Sequence, residues 1–109
     1  MVVVTIRVLV PQNKRREMLQ TLQSLTDSIR SQPGCLQYHF YVEIGNENSL
    51  CVVEEWRTRQ EFEEHILSRD FSVLYGALNL LHGPEAVDFQ LLTPGGGREV
   101  IDELRRKAQ

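Results

Sequence analysis

The apolar positions along this chain switch repeatedly between a period of two and a period near 3.6, and each switch marks an element. Met1 to Val10 is rich in β-branched residues without helical spacing and reads as a strand. Pro11, which has no N–H for a ladder, stops it. Asn13 offers a cap for a helix beginning near Lys14, in which Met18, Leu22, Leu25 and Ile29 recur along one face. Pro33-Gly34 ends that helix. Cys35 to Ile44 and Leu50 to Arg57 then read as two strands joined by the turn-forming stretch Gly45-Asn46-Glu47-Asn48-Ser49.

A second helical region begins at Thr58, with Glu61 at the capping-box spacing behind it. Phe62, His65, Ile66 and Arg69 share one face of its first part. Phe71, Leu74, Leu78 and Leu81 continue as an apolar stripe after a break near Ser68-Asp70. Gly83-Pro84 ends the region, and Ala86 to Leu92 alternates as a last strand with Val87, Phe89 and Leu91 on one face. The order β-α-β-β-α-β is the ferredoxin-like α+β plan, a four-stranded antiparallel sheet with helices on one face. We expect this domain to occupy residues 1–93, with 94–109 forming a Gly-rich linker and an added C-terminal helix, Arg98 to Lys107. Val100 and Leu104 give that helix a narrow apolar face, which suits either a frayed surface helix or an arm laid on a partner subunit.

Parity sorts the sheet into two faces. Leu36, Tyr38, Phe40, Val42 and Ile44 match Leu50, Val52, Glu54 and Trp56, with Val4, Ile6 and Val8 from the first strand; this is the face the helices should cover. Pairing Ile44 with Leu50 sets Tyr38 opposite Trp56, Phe40 opposite Glu54 and His39 opposite Glu55. The other face carries Arg7, Cys35, His39, Tyr41, Cys51, Val53 and Glu55, with Arg7 able to pair with Glu55 if the first and third strands are neighbours. That surface is too apolar for solvent and too polar for a core. A homodimer through the sheet, using Arg7, His39, Tyr41, Val53 and Glu55, accounts for it; a monomer with scattered exposed apolar residues is the alternative.

Composition narrows the function classes. At 109 residues, 41% hydrophobic and 25% charged, the chain is one ordinary globular domain. A net charge of −3 with interspersed signs gives no footprint for nucleic acid or an anionic membrane. The first apolar run is too short to span a bilayer and lacks a signal-peptide pattern, so a cytoplasmic location is expected. Cys35 and Cys51 form no disulfide framework, and His39, His65 and His82 lack metal-ligand spacing, so no metal is expected. No phosphate-cradling, flavin or nicotinamide fingerprint is present, so no cofactor is expected either.

Glu54 is the most informative residue, because a carboxylate among Phe40, Val52 and Trp56 loses hydration and needs a partner. His65, on the core-leaning side of the second helix, is the candidate partner and the candidate acid or base. Trp56 and Tyr38 would wall a seat for a flat apolar substrate, with Phe40, Phe62 and Tyr75 completing the lining. The purely structural alternative is that Glu54 and His65 satisfy each other and the aromatics only pack.

The segments Pro33-Gly34-Cys35-x-x-Tyr38, Glu54-x-Trp56 and Phe62-x-x-His65-x-x-Ser68-x-x-Phe71, in that order, resemble the antibiotic biosynthesis monooxygenase domain family. The resemblance covers roughly residues 2 to 93 and implies a ferredoxin-like fold dimerised through its sheets as an α+β barrel. It also implies activities seen among relatives: cofactor-independent oxygenation of quinols and polyketide phenols, haem degradation, or an isomerase-type reaction in quorum-signal breakdown. The chain departs from two of these patterns. Polyketide oxygenases resemble one another in an Asn four residues before the strand Trp, where this chain has Val52. Haem degraders carry a Trp where this chain has His65, and a haem-ligating His where it has Leu74; His82 stays open as a ligand.

Three functions follow from these residues. The first is a cofactor-independent monooxygenase acting on a small aromatic quinol or phenol, with His65 removing the phenolic proton and Glu54 orienting the His. The second is a non-redox isomerase or metabolite-processing enzyme using the same pair. The third is a non-catalytic ligand-binding module, for which a small, filled pocket would be the sign.

Overall fold

The computed structural model describes residues 1–81, 86–92 and 98–107. It contains β1 (Val2–Leu9), α1 (Arg15–Arg30), β2 (Cys35–Glu43), β3 (Asn46–Trp56), α2 (Arg59–Ile66), α3 (Arg69–Asn79), β4 (Val87–Leu92) and α4 (Arg98–Lys107). The strands form one antiparallel sheet in the order β2-β3-β1-β4. The expected turn at Gly83-Pro84, His82 and the glycine linker lie outside the described residues.

Alternation in β1 does what the pattern predicts: Val2, Val4, Ile6 and Val8 are buried under the helices, while Arg7 and Leu9 face outward. The stripe Met18, Leu22, Leu25 and Ile29 of α1 is buried against the same face, together with Leu74 and Leu78 of α3. The start of α1 differs from expectation. Asn13 caps nothing; a single 3₁₀ turn closes from Lys14 N–H to the Pro11 carbonyl (2.8 Å), and the α-helix begins after it.

The β2–β3 register also differs. Val42 lies opposite Leu50, Phe40 opposite Val52, Tyr38 opposite Glu54 and His39 opposite Val53, a shift of two residues from the expected pairing. A shift of two keeps every side chain on its face, so hydrophobic alternation cannot distinguish the two registers. The hairpin decides instead. It turns tightly through Ile44 and Gly45 (φ 92°), β3 starts at once at Asn46, and Glu47-Asn48-Ser49 bulge away from β2. The bulge is engaged elsewhere: Val10 N–H donates to Asn48 O (2.8 Å) and Arg15 Nε to Glu47 O (2.8 Å). Ile44, expected on the covered face, is therefore fully exposed in the turn. Leu36 forms a second irregularity in β2 and is half exposed, just beyond Gly34 (φ 81°), where a Cβ would run into the Glu61 carboxylate.

The break between α2 and α3 is built by two caps. Thr58 Oγ1 accepts from Glu61 N–H (3.1 Å), and Ser68 Oγ accepts from Phe71 N–H (3.2 Å), so each helix begins on its own side-chain oxygen. On the second sheet face Leu9, Tyr41 and Leu92 are about half exposed. α4 forms over its expected span, with Val100, Ile101 and Leu104 all exposed. No helix among the described residues is long and apolar enough to cross a membrane. Leu22, at the contact of α1 with the sheet, tests this core: Leu22→Ala should lower the unfolding free energy by about 2–5 kcal/mol in urea titrations.

Candidate functional site

A buried polar chain crosses the gap between the sheet and the helices. Alternation in β3 puts Glu54 on the covered face with Leu50, Val52 and Trp56, and helical spacing in α2 brings His65 over it. Glu54 and His65 are each 1% exposed, and Tyr38 and Trp56 are fully buried. Glu54 Oε1 accepts from the Trp56 indole N–H (3.0 Å) and lies 3.2 Å from His65 Nε2. The imidazole is stacked on the indole, with centroids 4.3 Å apart and planes 24° apart. Nε2 approaches Glu54 off the line of a hydrogen bond, so the two groups are close without being hydrogen-bonded.

The hydrogen bond that orients His65 goes to Gln32, not to Glu54. Nδ1 is 2.8 Å from Gln32 Oε1, while Gln32 Nε2 donates to Asp70 Oδ2 (2.9 Å), which also accepts from Ser28 Oγ (2.7 Å). A carboxylate can only accept, so Asp70 fixes which end of the Gln32 amide faces His65. Nδ1 therefore carries a proton, an assignment made from the network, and Nε2 is left without a hydrogen-bond partner. Three buried atoms here lack a hydrogen-bond partner: Tyr38 Oη, Glu54 Oε2 and His65 Nε2. Buried polar groups are normally paired, and such exceptions concentrate where chemistry or a polar ligand supplies the missing partner. Burial, reinforced by the Glu54 charge, pushes the Tyr38 phenol well above its ordinary value and keeps it neutral. The Cys35 thiol is pushed up chiefly by the same desolvation.

The sequence-predicted residues divide into groups. His65, Glu54 and Trp56 come together directly, with Tyr38 opposite Glu54 on the neighbouring strand. Phe62 is buried one turn before His65, and Phe40 is half-buried opposite Val52. Tyr75 stands apart from Trp56 and joins the site only through Phe71, which meets His65 edge-on (5.5 Å) and stacks on Tyr75 (5.7 Å). Tyr75 in turn tilts against Phe89 of β4 (6.2 Å), and both rings are partly open to solvent. On the Gln32 side, a cleft of about 190 Å³ lined by Gln32, Pro33, Glu61, Glu64, His65 and Ser68 reaches the imidazole. Leu74 is a buried core residue, as its place in the α3 stripe requires.

Gln32, Asp70 and Ser28 carry no motif, and no pattern in the sequence points to them; Phe71 belongs to the motif but not to the expected site. On the open sheet face, Arg7, His39, Tyr41, Val53 and Glu55 all point away from the helices, but two expected pairings are absent. Arg7 lies opposite Cys51 and Asp88 rather than near Glu55, and His39 Nδ1 meets Arg30 Nη2 (3.2 Å) rather than Glu55. The β1–β3 register accounts for the first and the β2–β3 register for the second. Among the described residues no three His, Cys, Asp or Glu side chains gather into a group that could hold a metal.

Tyr38 gives a pH-dependent test. A folded-state pKa above the ordinary 10.0 contributes stability that is complete below about pH 10 and is lost as the pH rises through the folded value. Tyr38→Phe should abolish that alkaline loss in denaturation curves between about pH 8 and 11. At neutral pH, where the hydroxyl has no partner, it should stay within about 1 kcal/mol of wild type.

Comparison with known proteins bears on the site's lineage. Residues 1–74 match the family model described as antibiotic biosynthesis monooxygenase. A Synechocystis protein described as uncharacterized is 33% identical over 64 residues, 59% of this chain and 44% of its own length. YcnE of Bacillus subtilis, which bears the name of a monooxygenase, is 31% identical over 65 residues, 60% of this chain and 68% of its own. The chain thus spans under half of the first relative and about two thirds of the second. A solved structure from Mycobacterium tuberculosis superposes with a TM-score of 0.79 at 23% identity, covering 88% of this chain and 96% of the other. SnoaB of Streptomyces nogalater, described as a cofactor-independent oxygenase, superposes at 0.75 with 19% identity, covering 88% and 94%. At such identities the structures speak to the fold. The family model, which spans more than half of the chain, speaks to descent: this chain belongs to the antibiotic biosynthesis monooxygenase family.

Proposed function

We propose that the protein is a cofactor-independent monooxygenase of a small aromatic quinol or phenol. The observation that carries this reading is His65: a buried imidazole with its proton held on Nδ1 and a bare Nε2 beside a buried carboxylate. Such a group is set to take a proton from a phenolic hydroxyl. The resulting imidazolium would stand 3.2 Å from the Glu54 carboxyl group. The phenolate is electron-rich enough to reduce dioxygen itself. For a quinol, one oxygen atom enters the ring and the other leaves as water, the four electrons coming from the substrate as it becomes a hydroxyquinone. Because Trp56, Tyr38 and His65 are all closed to solvent, a flat ligand first meets the exposed Tyr75 and Phe89 rings and reaches His65 only past Phe71, which covers it edge-on.

That closure also favours a second reading, a ligand-binding module without chemistry. Oxygen uptake with a panel of hydroquinones separates the two. The wild type should consume oxygen, and His65→Ala should lose about 10²–10⁴-fold in rate. Absence of uptake, or an unimpaired mutant, would sink the oxygenase reading, and turnover without oxygen would point to an isomerase. Trp56 is the sole tryptophan, so quenching of its fluorescence by the same compounds without turnover would identify a binding module.

We further read the open sheet face as the contact of a homodimer, placed in the reducing cytoplasm that two free thiols suit. Its Leu9, Tyr41 and Leu92 are about half exposed, and the less exposed Val53 lies on the same face between His39 and Thr5. In sedimentation velocity the wild type should run as a dimer, whereas Val53→Arg should run as a folded monomer.

A further inference from the structure

The base in this site has two nitrogens, and the structure treats them differently. We propose that Gln32, held by Asp70, is a positioning residue that selects the tautomer of His65 and thereby leaves Nε2 as its basic atom. The inference rests on the reading of His65 as the base and goes one layer behind it.

Asp70 sits in the first turn of α3, where the helix dipole favours an anion. Its Oδ2 accepts from Ser28 Oγ of α1 and from Gln32 Nε2, which is also 3.4 Å from Ser68 Oγ. Turning the amide over would set its oxygen against the carboxylate, so the amide has one favourable orientation. That orientation aims Oε1 at Nδ1. The imidazole cannot swing away to find another partner, because it is stacked on Trp56 and met edge-on by Phe71. Two neutral tautomers compete. With the proton on Nδ1, Gln32 is bonded at 2.8 Å; with it on Nε2, two lone pairs face each other across that distance, and all that is gained is the longer, off-line contact of Nε2 with Glu54 at 3.2 Å. The amide has a second consequence. A carboxylate directly on Nδ1 would hold the same tautomer but set a full charge against the ring, whereas an amide oxygen accepts the hydrogen bond without one. Asp70 thus orients His65 at one remove, with its charge kept off the imidazole.

The test is the tautomer itself, read from ¹⁵N shifts and two-bond ¹H–¹⁵N couplings of the His65 ring, assigned against His65→Gln. Wild type should show a protonated Nδ1 and a bare Nε2. Gln32→Met, which fills the space but accepts no strong hydrogen bond, should move the proton wholly or partly to Nε2. It should also lower kcat about 10- to 100-fold, with KM changing less. In the exchange variant Gln32→Glu/Asp70→Asn, the introduced amide can donate to the introduced carboxylate. That carboxylate still accepts from Nδ1, so the wild-type tautomer should return. Gln32→Glu alone sets two carboxylates about 2.9 Å apart and should not substitute. An unchanged tautomer in folded Gln32→Met, or an Nε2–H form in wild type, would overturn the proposal. If Gln32→Met does not fold, the exchange variant decides, and an Nε2–H form there overturns it equally. Wild type inert toward quinols but showing the predicted tautomers would remove the oxygenase reading and leave the positioning role standing.

Discussion

A carboxylate without water is the constraint from which the rest of this site follows. Glu54 occupies an apolar sheet face and is almost wholly screened from solvent, so its oxygens depend on what the fold brings to them. The Trp56 indole supplies one donor from two residues along the same strand, where alternation guarantees a shared face. The remaining neighbour must come from the helical layer. His65 arrives from α2, and its second nitrogen then needs a partner of its own, which Gln32 provides and Asp70 fixes. Each polar group thus creates a requirement met by the next, from the centre of the sheet to the start of α3. The chain is left incomplete at Glu54 Oε2, His65 Nε2 and Tyr38 Oη.

Local capping chemistry makes this arrangement possible. One uninterrupted helix from Thr58 onward would carry His65, Asp70 and Phe71 around a common cylinder. Ser68 instead stops α2 and starts α3, so Asp70 stands at a helix beginning where its charge is favoured and where it can reach Ser28 and Gln32 at the end of α1. Gly34 acts similarly at the other end of the network. Its positive φ turns the chain from α1 into β2 directly after Gln32, with the Glu61 carboxylate packed where a side chain would otherwise stand. Glu61 is itself held by Arg57, which keeps its carboxyl below the ordinary range and ties the start of α2 to the end of β3.

The two sheet faces divide the labour. The covered face holds the core and the site. The open face carries a mixture of half-exposed apolar side chains and charges, which we propose as the contact of a second copy. At the edge, Arg30 reaches from α1 to the Tyr38 carbonyl (3.0 Å) and to His39, occupying an acceptor that an edge strand would otherwise offer to another strand.

The sequence alone was enough to assign the elements, the break at Ser68-Asp70, the face of most strand residues, with Cys35, Leu36 and Ile44 as exceptions at the two irregularities of β2, and the meeting of Glu54, Trp56 and His65. These properties are local or periodic: propensity, capping spacing and the repeats of two and 3.6 act over a few residues and are written directly in their order. Tertiary structure decided what such repeats leave degenerate. The β2–β3 register differs from the expected one by a full period, and it goes with a tight turn at Ile44-Gly45 and a bulge whose Asn48 and Glu47 carbonyls accept from Val10 and Arg15. That shift separated His39 from Glu55, as the β1–β3 register separated Arg7 from it. The Gln32–Asp70 pair was equally out of reach, because a hydrogen bond between residues 38 apart depends on how the end of α1 and the start of α3 pack and leaves no periodic trace in the chain. Periodicity put a histidine beside a buried carboxyl group; packing determined which of its nitrogens is hydrogen-bonded and which is not.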